Sequence, residues 1–471
     1  MHGFEDTGAK PLDDPKDNRP WYKLLNGYHW FVLVVAALGW LFDTMDQQLF
    51  NLARTPAMKE LLKTDSGPPS QDDIFFYGGI ATMVFLIGWA LGGLFFGVLG
   101  DRIGRARVML WTILIYSLCT GLSALSVSVW DFAAYRFLTG LGVGGEFAVG
   151  VALVAEVMPS RARPFALGLL QALSAVGNIS AAFINMGLGV AEGANALSVG
   201  ETSFSAWRVM FVVGTLPALL AIFIRRRLKE PERWQAAAHA GDAKKHLGSY
   251  RDLFADRVLR KNALLGLAMG FAGVVGLWGI GFFTFDLLSP IFTAHFKGQG
   301  MSEVDVRSNV SWWIGITSVL QNLGGFFGIY AYSIITHYIG RKPAFFLAFV
   351  SAMASTAMVY AYLDTFSELY WMIPLMGFCQ LSLFGGYAIY FPELFPTRLR
   401  STGTSFCYNV GRLVAAFGPF TFGALTKVIF TQANGFEHGV RWAGVSMCCV
   451  FLIGLFALPF APETKGKPLP E

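Results

Sequence analysis

Charged residues are scarce in this sequence. Only 14% of its 471 residues are Asp, Glu, Lys or Arg, while 54% are hydrophobic, and a soluble chain usually carries about 25% charged residues. So few charges cannot cover the water-exposed surface of a soluble protein of this length. The composition therefore argues against a soluble globular protein and favours a chain embedded in lipid.

Motifs of several other protein classes are absent as well. The five cysteines lie in apolar stretches without CxxC or histidine-rich company, so the sequence indicates neither a disulfide framework nor a metal site. It contains no Walker motif, which argues against ATP as the driving force. A nucleophile, a base and a metal cluster do not occur together at membrane depth. We therefore expect no enzyme activity and no cofactor, with a proton as the coupling ion.

Long apolar runs are abundant in the sequence. A membrane span needs about 20 apolar residues, and splitting the runs at charges, Gly/Pro clusters and polar loops predicts an all-α membrane protein of twelve spans. The predicted spans are 29–53, 74–98, 106–128, 131–158, 164–192, 206–228, 261–290, 310–336, 343–363, 368–392, 402–430 and 440–461. The corresponding regions are an N-terminal tail 1–28, a six-helix bundle 29–228, a linker 229–260, a second six-helix bundle 261–463 and a C-terminal tail 464–471.

Lysine and arginine are distributed unevenly between alternate loops. With the N-terminus inside, twenty-six of the 36 fall in inner segments, seven in outer loops and three within spans. Since cytoplasmic loops are enriched in positive charge, we expect both termini to be cytoplasmic. The same placement explains the net charge of +5 without nucleic acid as a partner. Short outer loops favour a bacterial inner membrane, where we expect a monomer.

The two halves of the sequence repeat each other. GDRIGRAR at 100–107 recurs as THYIGRKP at 336–343, a shift of 236 residues. AEVMPSRAR at 155–163 recurs as PELFPTRLR at 392–400, a shift of 237, and PERW recurs as PETK with a shift of 231. Matches in the same order at a nearly constant shift indicate a duplicated six-helix unit, which makes the two bundles pseudo-symmetric.

These motifs resemble the major facilitator superfamily over essentially all of 29–466. GVLGDRIGRAR at 97–107 is similar to the family's loop motif between its second and third helices. RFLTGLGVGGE at 136–146, the two E-x6-R repeats and PETKG resemble the aromatic-acid/proton symporter, organic-ion and sugar-porter branch. The resemblance implies a secondary transporter that works by alternating access. In the second copy His337 and Tyr338 replace the expected Asp-Arg pair, so we expect different gating contacts there.

Acidic and basic residues at the inner ends of spans are predicted to form a gate. Ion pairs between these helix ends would close the inner face and would break when it opens; topology alone does not account for glutamates repeated at matched spacing. The predicted gating residues are Asp101, Arg102, Arg105, Glu156, Arg163, Arg341, Glu393 and Arg400.

Charges inside the first and fourth spans are predicted to couple transport to protons. Charged side chains at membrane depth cost about 2.5–3.5 kcal/mol each on insertion scales, so their presence there indicates a function or a partner of opposite charge. Asp43 and Asp46 are three residues apart on one helical face, and two close carboxylates disfavour joint ionisation. By depth, Asp43 can pair with Arg136, and so can Asp46. Proton-coupled sugar porters, which this segment resembles, use an Asp and an Arg in these helices. A permanent structural bridge is the alternative.

Arg412 is the predicted anchor for an anionic substrate. It lies ~16 Å into the eleventh span, close to the midplane, where facilitators bind substrate. Its planar guanidinium suits a carboxylate, and organic-anion members of the resembling family have an arginine in a similar NxGR context. Further predicted substrate-binding residues are Gln171, Asn178, Trp278, Tyr387 and Asn409. Glu146, beside GVGG, is interpreted as a brace between helices.

The sequence therefore predicts a proton-coupled symporter of a small organic anion, an aromatic or other carboxylate. A carrier of a neutral sugar or polyol is the nearest alternative, favoured by PETKG and by Gln171. An exporter or exchanger of organic solutes is another. A transporter-like sensor would keep the scaffold without needing a proton relay.

Overall fold

The structure is a computed structural model. It describes residues 19–63, 67, 69–193, 196–199, 202–239, 247–281, 284–415, 421–422, 425–430 and 439–470. Most of the predicted tail 1–28 and part of the linker 229–260 lie outside these residues.

The described residues of the first half of the chain form seven helices. They are α1 Gly27–Leu61, α2 Gln71–Ile103, α3 Arg105–Ser123, α4 Val129–Val157, α5 Arg163–Gly193, α6 Ala206–Val213 and α7 Leu220–Arg227. Together α6, a 3₁₀ turn at Leu216–Leu219 and α7 make the sixth span. A two-residue antiparallel ribbon pairs Ser198–Val199 with Thr202–Ser203 in the loop before α6.

Two short helices in the linker and eight further helices complete the described chain. The linker helices are α8 Glu232–His239 and α9 Tyr250–Ala255. The others are α10 Arg257–Val274, α11 Thr284–Gly298, α12 Glu303–Ile339, α13 Arg341–Tyr362, α14 Leu369–Tyr390, α15 Arg400–Ala415, α16 Gly439–Met447 and α17 Val450–Ala457. A π-helical turn, Val275–Ile280, continues α10.

The predicted all-α fold class is confirmed. Ten helical segments of the described chain are long and apolar enough to cross a membrane. Helices also occupy the other two predicted spans: α12 is the eighth, with the polar pair Gln321 and Asn322 at its middle, and α15 begins the eleventh. The predicted seventh span begins four residues late, at 261 instead of Arg257. Basic residues in the first turn of α10 interrupted the apolar run that the prediction used.

The two halves pack in the same way. In the first half α4 packs against α2 and α3, and α1 packs against α5; in the second half α14 packs against α12 and α13, and α10 packs against α15. Across the boundary, α2 packs against α15 and α5 packs against α12. The repeat seen in the sequence is therefore a repeat of helix neighbours.

Small residues let the helices that join the halves approach closely. Gly97 on α2 lies against Ser405 on α15, and Gly168 on α5 lies against Ser333 on α12. Since the repeat shift is 236–237, these two contacts are the same contact with glycine and serine exchanged. Close approach through small residues is a general device of membrane helices.

Both ends of the described chain lie on the face that carries the linker. The Tyr28 hydroxyl at the start of α1 hydrogen-bonds the backbone of Lys229. Near the other end, the Pro470 carbonyl accepts from Arg400. We call this face the latch end, because it carries the ion pairs described next.

Candidate functional site

Asp101 joins the halves at the latch end. Its carboxylate accepts hydrogen bonds from the backbone N–H groups of Ser401 (3.1 Å) and Thr402 (2.8 Å) and from the Thr402 hydroxyl (2.6 Å). The first N–H groups of a helix have no partner within that helix, and the positive end of the helix dipole attracts an anion. Asp101 of α2 thus caps α15 of the other half.

Glu156 connects arginines from both halves. Its Oε1 lies 3.0 Å from Nη2 of Arg105 and 2.7 Å from Nη1 of Arg400. Arg105 also pairs with Asp101 at 2.9 Å and donates to the Thr397 carbonyl across the boundary. All four charged side chains are fully or almost fully buried. The structure thus brings together four of the predicted gating residues in one network that closes the latch end.

The corresponding contact in the second half stays within that half. Arg341 donates two hydrogen bonds to Glu393, at 3.0 and 2.8 Å, and the Thr464 hydroxyl donates a third at 2.5 Å. Arg163 donates to the Ala155 carbonyl, as Arg400 does to Pro392. These residues anchor the corner between two spans rather than bridging the halves through the contacts described.

The predicted role of Arg102 is corrected by its position. Its Nε donates to the Leu247 carbonyl in the linker at 3.0 Å, and no carboxylate lies within ion-pair distance of it among the described residues. Nearby, Trp234 of α8 donates to the Asp101 carbonyl at 2.7 Å. The linker is therefore part of the closed latch end, and Arg102 holds the linker rather than an acid.

His337, the substitute for Asp101 in the second copy, makes an aromatic contact. Its ring lies 4.9 Å from the ring of Phe165 at the start of α5. By the repeat shift of 237, Pro164 and Phe165 correspond to Ser401 and Thr402. Proline has no N–H group to donate and phenylalanine has no hydroxyl, so a carboxylate at position 337 would lack two of the three donors that Asp101 has. The two copies therefore close by different chemistry.

A glutamate caps the third helix of each half. Glu230 accepts from the N–H groups of Ala106 and Arg107 at 3.1 Å, and Glu463 accepts from those of Arg341 and Lys342 at 3.0 Å. The sequence match of PERW with PETK aligned Glu463 with Glu232 instead; the structural counterpart lies two residues earlier.

Glu463 is stabilised in its ionised form. Partial burial by itself would raise its pKa, but N–H donors from Lys342, Arg341, Lys465 and Thr464 outweigh burial and lower the pKa below the usual value. Hydrogen bonds to a carboxylate favour its charged state.

A cavity of about 670 Å³ lies between the halves, away from the latch end. Helices α1, α5, α12 and α14 and the segment after α10 contribute to its wall. Arg54 is its charged lining residue within the described chain, and its Nη1 donates to Thr82 at 2.9 Å. Seven lining side chains are carboxamides, namely Gln47, Gln48, Asn51, Asn178, Asn185, Gln321 and Asn322.

One of the predicted substrate-binding residues lines this cavity. Asn178 donates to the Asn322 side chain at 2.9 Å and so joins α5 to α12 across the boundary. Gln171 is buried, and its Oε1 has no hydrogen-bond partner among the described residues, but it does not line the cavity. The side chain of Trp278 lies outside the described part of the chain. Gln47, Gln321 and Asn322 are lining residues that the predicted site omitted, although their polarity within apolar spans was a visible signal.

The side chains of two other predicted substrate-binding residues are engaged in contacts between helices. The Tyr387 hydroxyl donates to the Met269 carbonyl at 2.6 Å, and its ring stacks on Phe391. Asn409 fills the space left by Gly93 on α2 and donates to Ser405. Neither lines the cavity, so the prediction of substrate contact is corrected for both. Each sits at a helix–helix contact, which helical spacing alone does not reveal.

Of the two aspartates predicted as partners of Arg136, Asp46 forms the pair and Asp43 does not. Nη1 of Arg136 lies 3.6 Å from Oδ2 of Asp46, and Thr120 donates to Oδ1 of Asp46 at 2.7 Å. Arg136 also donates to Ser123 and Thr139 at 3.0 Å. The guanidinium is completely buried within the first half. The pair is thus enclosed in a network of hydroxyl groups.

Asp43 lies beneath the cavity without a hydrogen-bond partner among the described residues. It is 1% exposed. Gln47, four residues further along α1, lines the cavity, so Asp43 lies about 6 Å deeper toward the latch end. The charges that act on it include those of Glu146, Asp46 and Arg412. Asp43 therefore faces the boundary with the second half rather than Arg136.

Arg412 lies at the boundary between the halves, and only part of its guanidinium group is hydrogen-bonded. Its guanidinium carbon lies 3.6 Å from the ring centroid of Trp89 and 4.5 Å from that of Tyr408. Nη2 donates to the Tyr408 hydroxyl at 2.9 Å, while Nε and Nη1 have no hydrogen-bond partner within the described chain. A buried, flat guanidinium with two free N–H edges can bind a carboxylate through parallel hydrogen bonds.

Glu146, which the sequence analysis interpreted as a brace between helices, is a further buried carboxylate of this region. Its carboxylate lies against Gly39 on α1, where any added Cβ would collide with Oε1. Both carboxylate oxygens are buried and lack hydrogen-bond partners among the described residues. The signal available in the sequence was a carboxylate inside an apolar span.

Comparison with known proteins agrees with this architecture. A family model described as Major Facilitator Superfamily matches residues 36–419, and one described as Sugar (and other) transporter matches residues 370–471. The niacin transporter NiaP of Acinetobacter baylyi is 28% identical over 470 residues, covering 94% of this chain and 96% of the relative. The cis,cis-muconate transport protein of the same species is 27% identical over 389 residues, covering 81% and 84%.

A solved structure with the same fold is that of the proton:xylose symporter XylE. It aligns with a TM-score of 0.70 at 18% identity, covering 94% of this chain and 98% of XylE. The first family model spans most of the sequence, including both halves and the latch network. The chain therefore belongs to the Major Facilitator Superfamily and is a membrane transporter, not an enzyme.

Proposed function

We propose that this transporter is a proton-coupled symporter of a small organic anion, an aromatic or other carboxylate, in a bacterial inner membrane. The observation that carries the proposal is Arg412, a buried guanidinium with two unpartnered nitrogen atoms between the halves. An unpaired buried charge is costly, and a substrate carboxylate supplies the missing partner.

The cavity gives this anion an approach from the side opposite the latch end. Carboxamides line it, with Arg54 as the lining cation among the described residues. On α1 the lining residue nearest the latch end is Gln47, and Asp43 and Arg412 lie further toward the latch end. If the latch end is cytoplasmic, as the distribution of Lys and Arg predicts, the cavity faces outward and the latch is shut.

Coupling to protons follows from the charges around Arg412. Asp43 and a substrate carboxylate compete for the same guanidinium, because both are anions within its field. Substrate binding therefore favours protonation of the carboxylate that loses its counter-ion. The Asp46–Arg136 pair is the second candidate proton site, since it too is a buried carboxylate beside an arginine.

Transport by alternating access requires the latch network to break. Glu156 and Asp101 connect the halves, and they must release Arg400 and the start of α15 when the latch end opens. Rocking of one bundle against the other around a central site is how such repeats work.

The names of the relatives support a carboxylate as substrate. Niacin and cis,cis-muconate, named for two of them, are both planar carboxylic acids. A neutral sugar or polyol is the second candidate, favoured by the seven carboxamides in the cavity wall, because amides hydrogen-bond hydroxyl groups without requiring charge.

Uptake into proteoliposomes tests the proposal. Radiolabelled nicotinate, cis,cis-muconate, benzoate and xylose are supplied with and without an inward proton gradient. Nicotinate or another carboxylate is expected to accumulate above its external concentration only with the gradient. Arg412→Ala is expected to lose carboxylate uptake by about 10²-fold or more, since a charge-assisted pair is worth about 2–5 kcal/mol when one partner is removed.

Exposed Arg260 supplies the control for removal of a positive charge. Arg260→Ala is expected to retain uptake within about twofold, because surface substitutions change little. Accumulation of xylose instead of the carboxylates, or undiminished carboxylate uptake by Arg412→Ala, would contradict the proposal.

A further inference from the structure

We propose that Glu146 carries the coupling proton together with Asp43. The two carboxylates hold one proton between them, and they take up one more when a substrate carboxylate occupies Arg412. This inference rests on the anion–proton symport proposed above and assigns its proton-binding groups. It gives Glu146 a chemical task in place of the helix brace that the sequence favoured.

The contact with α1 places Glu146 beside Asp43. The Glu146 carboxylate fills the space left by Gly39, where a Cβ would collide with it. Asp43 follows Gly39 by four residues and therefore lies on the same face of α1, one turn away. The charge of Glu146 acts on Asp43 accordingly. The two carboxylates thus lie at the same α1–α4 contact, about one helical turn apart along α1.

The lack of partners separates these two acids from other buried acids of the described chain. Asp101, Glu156 and Glu393 each contact an arginine, and Asp46 contacts Arg136. Asp43 and Glu146 are equally buried, yet their four carboxylate oxygens have no hydrogen-bond partner in the described residues. Burying two unpaired carboxylates in ionised form is strongly unfavourable, so a proton on the pair is the physical solution.

The surrounding groups define the charge balance. Among the described residues of the helices packed on α4, those that act on this pair are Asp46 on α1, Tyr116 on α3, and Tyr408 and Arg412 on α15. Arg136 neutralises Asp46. With one proton on the pair, the remaining negative charge balances Arg412. The Tyr116 hydroxyl, which also has no hydrogen-bond partner among the described residues, lies within the field of both carboxylates.

Substrate binding changes this balance by one charge. A monovalent carboxylate on Arg412 leaves the carboxylate pair without its counter-ion, so the pair takes up one proton from water and the site becomes neutral again. The reverse holds by linkage: a second proton on the pair frees Arg412 for the anion. The expected stoichiometry is one proton per monovalent anion, and the combined movement carries no net charge.

Proton uptake and transport are measured on the same variants. Purified protein in a weakly buffered solution with a pH indicator is mixed with nicotinate, and wild type is expected to absorb about one proton per bound anion. In proteoliposomes a gradient of one pH unit is expected to support about tenfold accumulation of nicotinate. Counterflow exchange of nicotinate without a gradient measures binding and rocking alone.

Glu146→Gln preserves the shape against Gly39 and leaves Asp43 as the single carboxylate that balances Arg412. Because Asp43 no longer shares a proton with a second carboxylate, the pH at which proton uptake per bound nicotinate is half-maximal is expected to shift by at least about 0.5 unit relative to wild type. Counterflow by this variant is expected to stay within about threefold of wild type, because Arg412 is intact. The matched control is Glu232→Gln, an exposed glutamine substitution in α8, which is expected to behave as wild type.

The outcomes separate this inference from the proposed function. If wild type itself shows no gradient-driven uptake of nicotinate or of the other carboxylates, the proposed function fails. If wild type shows it and the pH dependence of proton uptake by Glu146→Gln is the same as that of wild type, the role of Glu146 is overturned. Folded Glu146→Gln that loses counterflow as well also overturns it, since Glu146 would then serve structure or binding.

Glu146→Asp keeps the test valid if the glutamine variant does not fold. It retains a titratable group but withdraws it from α1 by one methylene. The pH at which nicotinate affinity is half-maximal is expected to shift by at least about 0.5 unit relative to wild type, because the distance between the two carboxylates changes. An unchanged pH profile would overturn the proposal.

Discussion

Asp43 and Asp46 show how two neighbouring residues of one type acquire different surroundings. Asp46 accepts from Thr120 and pairs with Arg136 inside the first half. Asp43 has no hydrogen-bond partner in the described chain and faces Glu146 and Arg412. Three residues along a helix turn a side chain by about 300°, so the two differ in direction by about 60°. That difference directs one into the bundle and the other to the boundary.

Substitution of Asp43 and substitution of Asp46 are expected to have different effects, the first on proton coupling and the second on stability. Asp43→Asn leaves Glu146 as the remaining unpaired carboxylate, so it is expected to shift the pH dependence of proton-driven nicotinate uptake and to preserve counterflow and stability. Asp46→Asn leaves the buried Arg136 without its ion pair and is expected to lower stability by about 3–5 kcal/mol. Thermal unfolding in detergent and the two transport assays distinguish the effects.

Replacing the partner as well is the control for the Asp46 result. Asp46→Asn combined with Arg136→Gln removes both charges and is expected to recover part of the lost stability, as removal of both members of a buried pair usually does. Loss of coupling in stable Asp46→Asn, with an unchanged pH dependence of uptake in Asp43→Asn, would instead assign the proton to the Asp46–Arg136 pair.

At the scale of the helix, the duplicated unit keeps its geometry while residues change place. Gly97 and Ser405 meet across one boundary, and Ser333 and Gly168 meet across the other. The small residue and the hydroxyl have exchanged helices, yet the close approach is the same. What the duplication preserves is the volume at the contact rather than the identity of either residue.

The glycines that begin α3 and α13 are a second preserved device. Gly104 has φ 124° and Gly340 has φ 100°, backbone angles that side chains rarely adopt. Each leaves room for the capping carboxylate, since a Cβ would collide with Glu230 at one site and with Glu463 at the other.

Alanine at these glycines is expected to destabilise the corners. Gly104→Ala and Gly340→Ala combine strained backbone, about 1–3 kcal/mol, with displacement of the cap, about 1 kcal/mol. Thermal unfolding in detergent measures the loss of stability. Gly466→Ala is the matched control, because Gly466 has φ 72° but open space around it. It is expected to lose less than either, and an equal loss would show that the displaced cap contributes nothing.

At the scale of the whole molecule, the two boundaries close by different chemistry. On one side Asp101 accepts three hydrogen bonds from the start of α15. On the other side His337 contacts the ring of Phe165. Hydrogen bonds to a charged group contribute about 1.5–3 kcal/mol each, whereas an aromatic pair contributes about 0.5–1.5 kcal/mol. The Asp101 side therefore contributes more to the stability of the latch-closed state than the His337 side does.

Removing each contact is expected to shift the conformational equilibrium unequally. Asp101→Ala is expected to raise the ratio of latch-open to latch-closed molecules by about tenfold or more, and His337→Ala by less than about tenfold. Spin labels are attached to cysteines that replace exposed Arg107 and Tyr338, one in each half, in a variant without the native cysteines. Pulsed electron paramagnetic resonance then measures the distance between the two labels.

The distance distribution distinguishes these expectations. A longer component that grows in Asp101→Ala but little in His337→Ala supports the unequal latch. His337→Asp is the informative control: it is expected not to strengthen closure, because Pro164 cannot donate an N–H. Equal shifts in both alanine variants would contradict the assignment.

The sequence by itself determined the all-α membrane fold and the repeated unit, because these depend on local quantities. The length of an apolar run decides whether a helix can span lipid, and the shift of 236–237 between motifs reveals the duplication. The same motifs indicated the acids and arginines of the latch end. Their chemistry was visible because charge is rare in such a sequence.

Tertiary structure alone decided which of these groups meet. The partner of Arg136, the neighbours of Arg412, the packing of Tyr387 and the contact of Glu146 with Gly39 all join residues on different helices. Each depends on how far a helix is rotated and how closely it approaches its neighbour, and at 100° per residue a small change in rotation selects a different partner. Spacing along one helix carries no information about that rotation.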